Sequence, residues 1–336
     1  MTNAPLIEQV DCKTADEFLD MLSPRGPYFR NYFEPRRIIY RGQKDARFTL
    51  RPSVFRSPVR FKYAKGWQSI TEPTNKQQVD YEFNLIQKFF ELADAGGLSL
   101  PEDSQALRTV LKKQSWESPY KHWPPHQLLS LIALAQHYGV PTRLLDWSFN
   151  PYAAAYFAAV EAAKPETSLP EICMCQAPSP VDVSRCRTCD GLIEDLPQQI
   201  GVWSMEATKT AIAIREIMNP LIGELSFEFV TVPRAGNPNL HAQEGIFTLY
   251  RPQTSKQDED IDPGAFADRT SFEEAIMQQA YPAFRLRHFT LPFSECRQLL
   301  WLLAKEGVDG AKLFPGYNGA AKALMEELYW STKART

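Results

Sequence analysis

Four of the six cysteines lie within 17 residues, as Cys173-Met174-Cys175, ten intervening residues, and Cys186-Arg187-Thr188-Cys189. Thiolates two or three positions apart on a turn converge on one Zn²⁺, and two such pairs complete a tetrahedron. The residues between the pairs have too little apolar content for a core of their own, so a metal would be their staple. The opening residues have neither a basic n-region nor an apolar h-region. Clustered cysteines then favour zinc over disulfides, and a cytoplasmic protein is expected. The first pair is C-x-C in place of the commoner C-x₂-C; a redox-sensitive pair or free thiols are the alternatives. Four thiolates leave no open coordination position, so the expected zinc is structural. Cys12 and Cys296 stand alone and read as core residues.

Positive charge is the second chemical feature. Between Arg25 and Lys65 there are twelve Lys and Arg against Glu34 and Asp45 alone. Such a segment attracts anions, either the phosphate of a small ligand or RNA. The bland alternative is a solvated face balanced by acids elsewhere. The whole chain carries a formal charge of -3 with a pI near 6.0, which argues against nucleic-acid binding by global electrostatics. Other chemistries lack their motifs. There is no G-x-S-x-G, and Ser53 has no neighbouring His or Asp to mark a hydrolase. P-loop and G-x-G-x-x-G fingerprints are also absent.

Composition is that of an ordinary globular protein, 44% hydrophobic and 23% charged, so wholesale disorder is excluded. The longest apolar run, Leu128 to Ala135 broken by Ser130, is far short of the roughly 18–20 residues of a membrane helix. Residues 1–34 read as a helical lead-in, with Thr14 as cap and Glu17 as the capping-box acid. Residues 36–40, short and β-branched, read as a strand ending at Arg41-Gly42-Gln43. Apolar spacing marks a helix over 76–95 and another over 126–138, stopped by Gly139 and Pro141. An alanine-rich helix follows over 152–163, with Asn150 placed to cap it and Pro151 at its first position. Residues 165–195 hold the four-cysteine insertion. Strands are expected at 200–205, 225–232, 245–250 and 284–291, with helices at 296–305 and 322–330 and a tail over 326–336. Residues 66–75 and 253–270 read as surface loops. Early helices and late strands indicate a single mixed α+β domain, not a regular βαβ alternation.

Three separated stretches carry a family resemblance: Tyr40-Arg41-Gly42-Gln43 with Leu50-x-Pro52-Ser53; Leu134-Ala135-Gln136-His137 running through Pro141-Thr142-Arg143-Leu144-Leu145-Asp146-Trp147-Ser148-x-Asn150-Pro151; and Ala242-Gln243-x-Gly245-x-Phe247-Thr248. The chain resembles the FRG-domain family, named for a (Phe/Tyr)-Arg-Gly signature, over roughly residues 35–325. Leu313-Phe314-Pro315-x-x-x-Gly319 resembles the family's closing motif, with Gly316-Tyr317-Asn318 in place of its usual acids. The motif order is similar to that of ADP-ribosyltransferases, which implies a split sheet flanked by helices and NAD as the small molecule. In that resemblance Arg41 grips the dinucleotide, Ser148 orients the nicotinamide ribose, and Gln243 or Glu244 holds the place of the late acid.

The resemblance extends the binding set to Gly42, Gln43, Arg143, Asp146, Trp147 and Asn150. Were residues 243–244 on a strand, only one of the two would face inward, and the family signature favours Gln243. Each residue also has a structural reading. Arg143 and Asp146 can form a salt bridge, Trp147 can be a core residue, and capping alone accounts for Asn150. His137 is an acid–base candidate or a structural helix end. Two functions stand open. One is an NAD-using transferase or hydrolase, as in a toxin or phage-defence effector, acting on a macromolecule. The other is a binding module for a nucleotide or RNA. No membrane role is expected.

Overall fold

The structure, a computed structural model, describes residues 7–31, 38–63, 66–113, 116–117, 120–164, 198–207, 227–231, 242–251, 260–278 and 286–331. The insertion at 165–195, with Cys173, Cys175, Cys186 and Cys189, lies outside the described residues. Nine strands and nine helices are named here in chain order: β1 (Ile7–Asp11), α1 (Ala15–Leu22), β2 (Ile38–Gln43), β3 (Val59–Tyr63), β4 (Gly66–Ile70), α2 (Asn75–Ala95), α3 (Gln105–Leu111), α4 (His126–His137), β5 (Leu144–Ser148), α5 (Pro151–Ala159), β6 (Gln199–Glu206), β7 (Phe227–Val230), β8 (Gly245–Tyr250), α6 (Phe272–Gln278), β9 (Leu286–Pro292), α7 (Cys296–Lys305), α8 (Gly310–Leu313) and α9 (Tyr317–Ser331).

Seven strands form one mixed sheet in the order β1-β9-β6-β2-β5-β8-β7, while β3 and β4 make a separate hairpin. Among the described strands only β1 and β9 run parallel; the other pairings are antiparallel. The fold is therefore α+β, as the element order implies. Strand alternation divides the core. On one side Phe18, Leu22, Ala154, Ala158, Phe289 and Leu299 join α1, α5 and α7 to the β2–β6–β9 half. Next to them Phe83, Leu128, Leu131 and Leu144 join α2 and α4 to the β5–β8 half. Leu145, Trp147, Trp203, Met205 and Ile276 form the core of the opposite face. Among the described residues, no helix is long and apolar enough to cross a membrane.

Some local expectations change. The lead-in contains a strand, β1, before α1. Thr14 does cap α1, accepting from the Glu17 amide at 3.2 Å, but the Glu17 carboxylate takes the amide of Lys13. Residues 66–70 form β4, whose side chains are mostly exposed; a strand without a buried face leaves no apolar alternation to read. The last helix begins at Tyr317, five residues before the expected 322. Cys12 and Cys296 are buried free thiols, each pushed up to about 12 by burial.

α5 consists largely of alanine for a packing reason. It lies against β2 at Gly42, where an added Cβ would stand 2.0 Å from the Ala154 carbonyl oxygen and 2.8 Å from the Ala158 nitrogen. Small residues on the helix and none on the strand permit that approach. The glycine of the Tyr-Arg-Gly signature is thus a helix-docking position.

Candidate functional site: a cleft where two strands part

β2 and β5 are neighbours in the sheet, yet they share one register pair, Tyr40 with Ser148. The ladder of β2 is completed by β6, from Ile38–Glu206 to Gln43–Gly201. That of β5 is completed by β8. Past Tyr40 the two strands separate, and a side chain spans the gap. Arg41 Nη1 donates to the main-chain oxygen of Asp146 at 2.7 Å and to its Oδ1 at 2.5 Å. A guanidinium takes the place of the missing ladder donor and satisfies a carbonyl that would otherwise face the gap.

The gap opens into a cleft of about 240 Å³, bordered by Arg41, Gly42, Gln136, His137, Asp146, Ser148 and Gln243, with Phe157 and Phe314 as an aromatic wall. Gln136 Nε2 donates to Asp146 Oδ1 at 3.0 Å, and Gln136 Oε1 accepts from the Thr142 hydroxyl. Ser53 Oγ in turn binds both main-chain groups of Thr142. One network therefore links the Arg41, Pro52-Ser53, Gln136 and Thr142–Asp146 motif segments. The Asp146 side chain is 63% exposed and that of Arg41 11%. Lying in a recess raises the Asp146 carboxyl, but the charge and hydrogen bond of Arg41, helped by Arg56, outweigh this and hold it below its ordinary value. His137 is the last residue of α4; burial pushes its imidazole down, against a smaller upward pull from Asp146.

Ser148 and Gln243 meet through the backbone. Ser148 Oγ donates to the main-chain oxygen of Gln243 at 2.6 Å and accepts from the Asn150 amide at 2.9 Å. Gln243 Nε2 donates to the Leu313 carbonyl at 3.1 Å, tying the Leu313-Phe314-Pro315 motif to the cleft. Gln243 and Glu244 lie in a turn, since β8 begins at Gly245. Strand alternation therefore does not decide between them. Gln243 borders the cleft, whereas Glu244, at φ 49°, does not. The Glu244 carbonyl instead accepts from the Phe149 amide.

Four expected ligand contacts go elsewhere. Arg143 is 6% exposed and forms a two-pronged pair with buried Glu82 of α2, at 2.6 and 2.8 Å. It neither reaches the cleft nor pairs with Asp146, whose cation is Arg41. Gln43 is buried between the Thr49 carbonyl and the Trp203 indole N–H. Trp147 borders the cleft, but its indole is in the opposite core, 3% exposed, with Nε1 donating to Thr248 and the ring against Phe272. No open indole face is left for stacking a base. Asn150 Oδ1 caps α5, accepting from the amides of Tyr152 and Ala153. An Asn150→Ala variant is expected to lose about 1 kcal/mol of stability in thermal unfolding. Loss of ligand binding with unchanged stability would instead return Asn150 to the binding set.

Sequence reasoning gave no role to Gln136, Arg56, Phe157 or Phe314. Arg56 follows the 3-10 turn at Ser53–Phe55 and is anchored by its Nε on the Arg51 carbonyl. Burial pulls its guanidinium below the ordinary arginine value, as does the neighbouring charge of Arg41, while Asp146 opposes them, so the three groups share one field. Gln136 and Phe314 were inside quoted motifs, and that position was the available signal. Among the described residues no group of three or more His, Cys, Asp or Glu is placed to hold a metal ion.

The geometry coincides with a family assignment. Residues 36–167 match the family model of the FRG domain. No curated protein and no solved structure matches the chain. The matched span contains β2, α4, β5 and α5, and hence Arg41, Gly42, Gln136, Asp146 and Ser148 of the cleft. Over residues 36–167, then, the chain matches the FRG domain.

Proposed function

We propose that the cleft is an NAD site of ADP-ribosyltransferase type, which transfers ADP-ribose to a macromolecular acceptor or hydrolyses NAD. The observation that carries this reading is the convergence of Arg41, Ser148 and Gln243, drawn from three distant stretches, on the place where β2 and β5 part. The two strands are still neighbours in one seven-stranded sheet, not the divided sheet of the resemblance, so the reading rests on this local parting and the residues gathered there.

The residues present suit one end of a dinucleotide. Pockets for drug-sized ligands occupy about 300–1,000 Å³, so a cleft of about 240 Å³ suits a nucleoside half with the remainder lying outward. Phe157 and Phe314 offer a wall for a flat ring, and Ser148, Gln243 and Asp146 are hydrogen-bonding partners for ribose. Arg56 adds a cation toward a pyrophosphate, a role that Arg41 serves less well with Nη1 engaged by Asp146. Cleavage of a ribosyl–nicotinamide bond builds positive charge on the sugar, as in glycoside hydrolysis. Cys173, Cys175, Cys186 and Cys189 remain in this reading the donor set for one structural Zn²⁺.

One observation favours the second reading, a nucleotide- or RNA-binding module. Gln243 is a neutral amide at the late-acid place, and the Glu244 carboxylate is not among the cleft groups. Nicotinamide release from NAD separates the two. The transferase reading expects release by the wild type and at least a tenfold fall in Arg41→Ala. Normal NAD cleavage by Arg41→Ala overturns it, while NAD binding without cleavage by the wild type selects the binding module.

A further inference from the structure

We infer that Asp146, from the middle of β5, supplies the negative charge for ribosyl transfer in this cleft, in place of a late acid, and that Arg41 is its positioning residue. The inference rests on the NAD reading above and assigns its missing chemical group.

Among the described residues bordering the cleft, Asp146 is the one acid. Gln243 carries no charge, and its amide nitrogen is engaged by the Leu313 carbonyl. The built features of Asp146 are those of a working carboxylate. Two donors from two elements, Arg41 of β2 and Gln136 of α4, converge on Oδ1 and fix the plane of the group. Among the described residues no side chain donates to Oδ2, and the side chain, which borders the cleft, remains 63% exposed. One oxygen is anchored and the other is presented.

This arrangement also determines what the ligand brings to Asp146. A phosphate there would meet a carboxylate, and like charges repel. An electron-poor ribosyl carbon attached to a cationic pyridinium ring, or the hydroxyl donors of ribose, would be attracted. In the hydrolytic step the bond between the ribosyl carbon and the ring nitrogen breaks, and its electron pair stays on nitrogen, giving neutral nicotinamide. Water oxygen bonds to the ribosyl carbon, and one water proton passes to solvent. Asp146 forms no bond. It stabilises developing positive charge through space, as preorganised groups do elsewhere.

Kinetics of nicotinamide release, followed across NAD concentration and pH, test the assignment. Asp146→Asn is expected to lower kcat on the order of a hundredfold with little change in KM, since the lost interaction belongs to the transition state. Asp146→Glu is expected to restore part of the rate. In Arg41→Ala the acid limb of the residual activity is expected to move to higher pH, because the cation holding the Asp146 carboxyl ionised is gone. Arg56 and His137 are the other titratable groups facing it. A merely structural Arg41 would reduce activity without moving that limb. Wild-type kcat in Asp146→Asn, or abolition of release by Glu244→Gln with an unchanged melting temperature, overturns the assignment while leaving the NAD reading standing. Should Asp146→Asn not fold, Asp146→Glu and Glu244→Gln decide the matter. Wild-type protein that neither binds nor cleaves NAD overturns the reading itself, and the assignment with it.

Discussion

A Glu82→Ala variant is expected to lose about 3–5 kcal/mol of folding stability, the cost of leaving a buried charge without its partner. The Glu82 carboxylate accepts from four donors: Gln78 Nε2 at 2.8 Å, Trp123 Nε1 at 2.9 Å, and Arg143 Nε and Nη2 at 2.6 and 2.8 Å. Removing it strips one partner from each, and Arg143, at 6% exposure, has no route to water. Its remaining contacts, the Trp123 carbonyl at 3.4 Å and the Phe55 ring at 5.6 Å, cannot replace a carboxylate. Total stabilities of natural domains are about 5–15 kcal/mol, so the loss is a large share. Glu82→Leu combined with Arg143→Met is expected to recover much of it, because the desolvation penalty then falls on neither charge. Urea unfolding of the single and double variants measures the coupling. A Glu82→Ala protein within 1 kcal/mol of wild type would mean that Arg143 has another partner in solution, and would return it to the candidate ligand set.

The second large effect is expected from Gly42→Ala, at about 3 kcal/mol, the upper end of ordinary overpacking costs. The added carbon would lie 2.0 Å from the Ala154 oxygen, 2.8 Å from the Ala158 nitrogen and 3.0 Å from the Ala154 carbonyl carbon. All three are helix backbone, so no side-chain rotation relieves the contact and no trimming of α5 cures it. The helix would have to retreat by roughly 1.5 Å to recover an ordinary contact near about 3.5 Å. Because Ala154 and Phe157 of the same helix border the cleft, the retreat would also widen the ligand site. The melting temperature and nicotinamide release should therefore fall together. Unchanged values of both would show that α5 does not rest on β2 at this point.

Much of the local structure is legible in the sequence because its signals are local. Gly139 stops α4 in a left-handed conformation at φ 86°, and Asn150 with Pro151 opens α5. The family motifs likewise pointed to Arg41, Ser148, Asp146 and Gln243, which meet in one cleft. What the sequence hides is the choice of partner. Arg143 and Asp146 are three residues apart and of opposite charge, so pairing with each other is the economical expectation. The partners are instead Glu82 and Arg41, 61 and 105 positions away, and only the packing of α2 and β2 against β5 selects them. The alternation rule does not apply at Gln243-Glu244, because both lie in the turn before β8, which begins at Gly245 as the sequence indicates; which of the two borders the cleft is set by the turn. Gly42 shows a third case, where a residue taken for a ligand contact is required by the approach of a helix backbone.

The edge pairing of β1 with β9 sets the order in which the molecule can be assembled. Glu8 and Arg287 are joined by a hydrogen bond across 279 positions, and the strands that carry them lie side by side. Closing so long a loop must precede any gain from the contact, which makes such sheets slow to form. On the ribosome β1 is made well before β9 and can pair with it only after residues 286–292 emerge. β2 waits similarly for β6, since its contact with β5 is a single pair. Consequently β2 and β5, the two strands that the FRG-matched span, residues 36–167, gives to the large sheet, are made before their principal neighbours β6 and β8, and they are completed only when the later part of the chain reaches back to them.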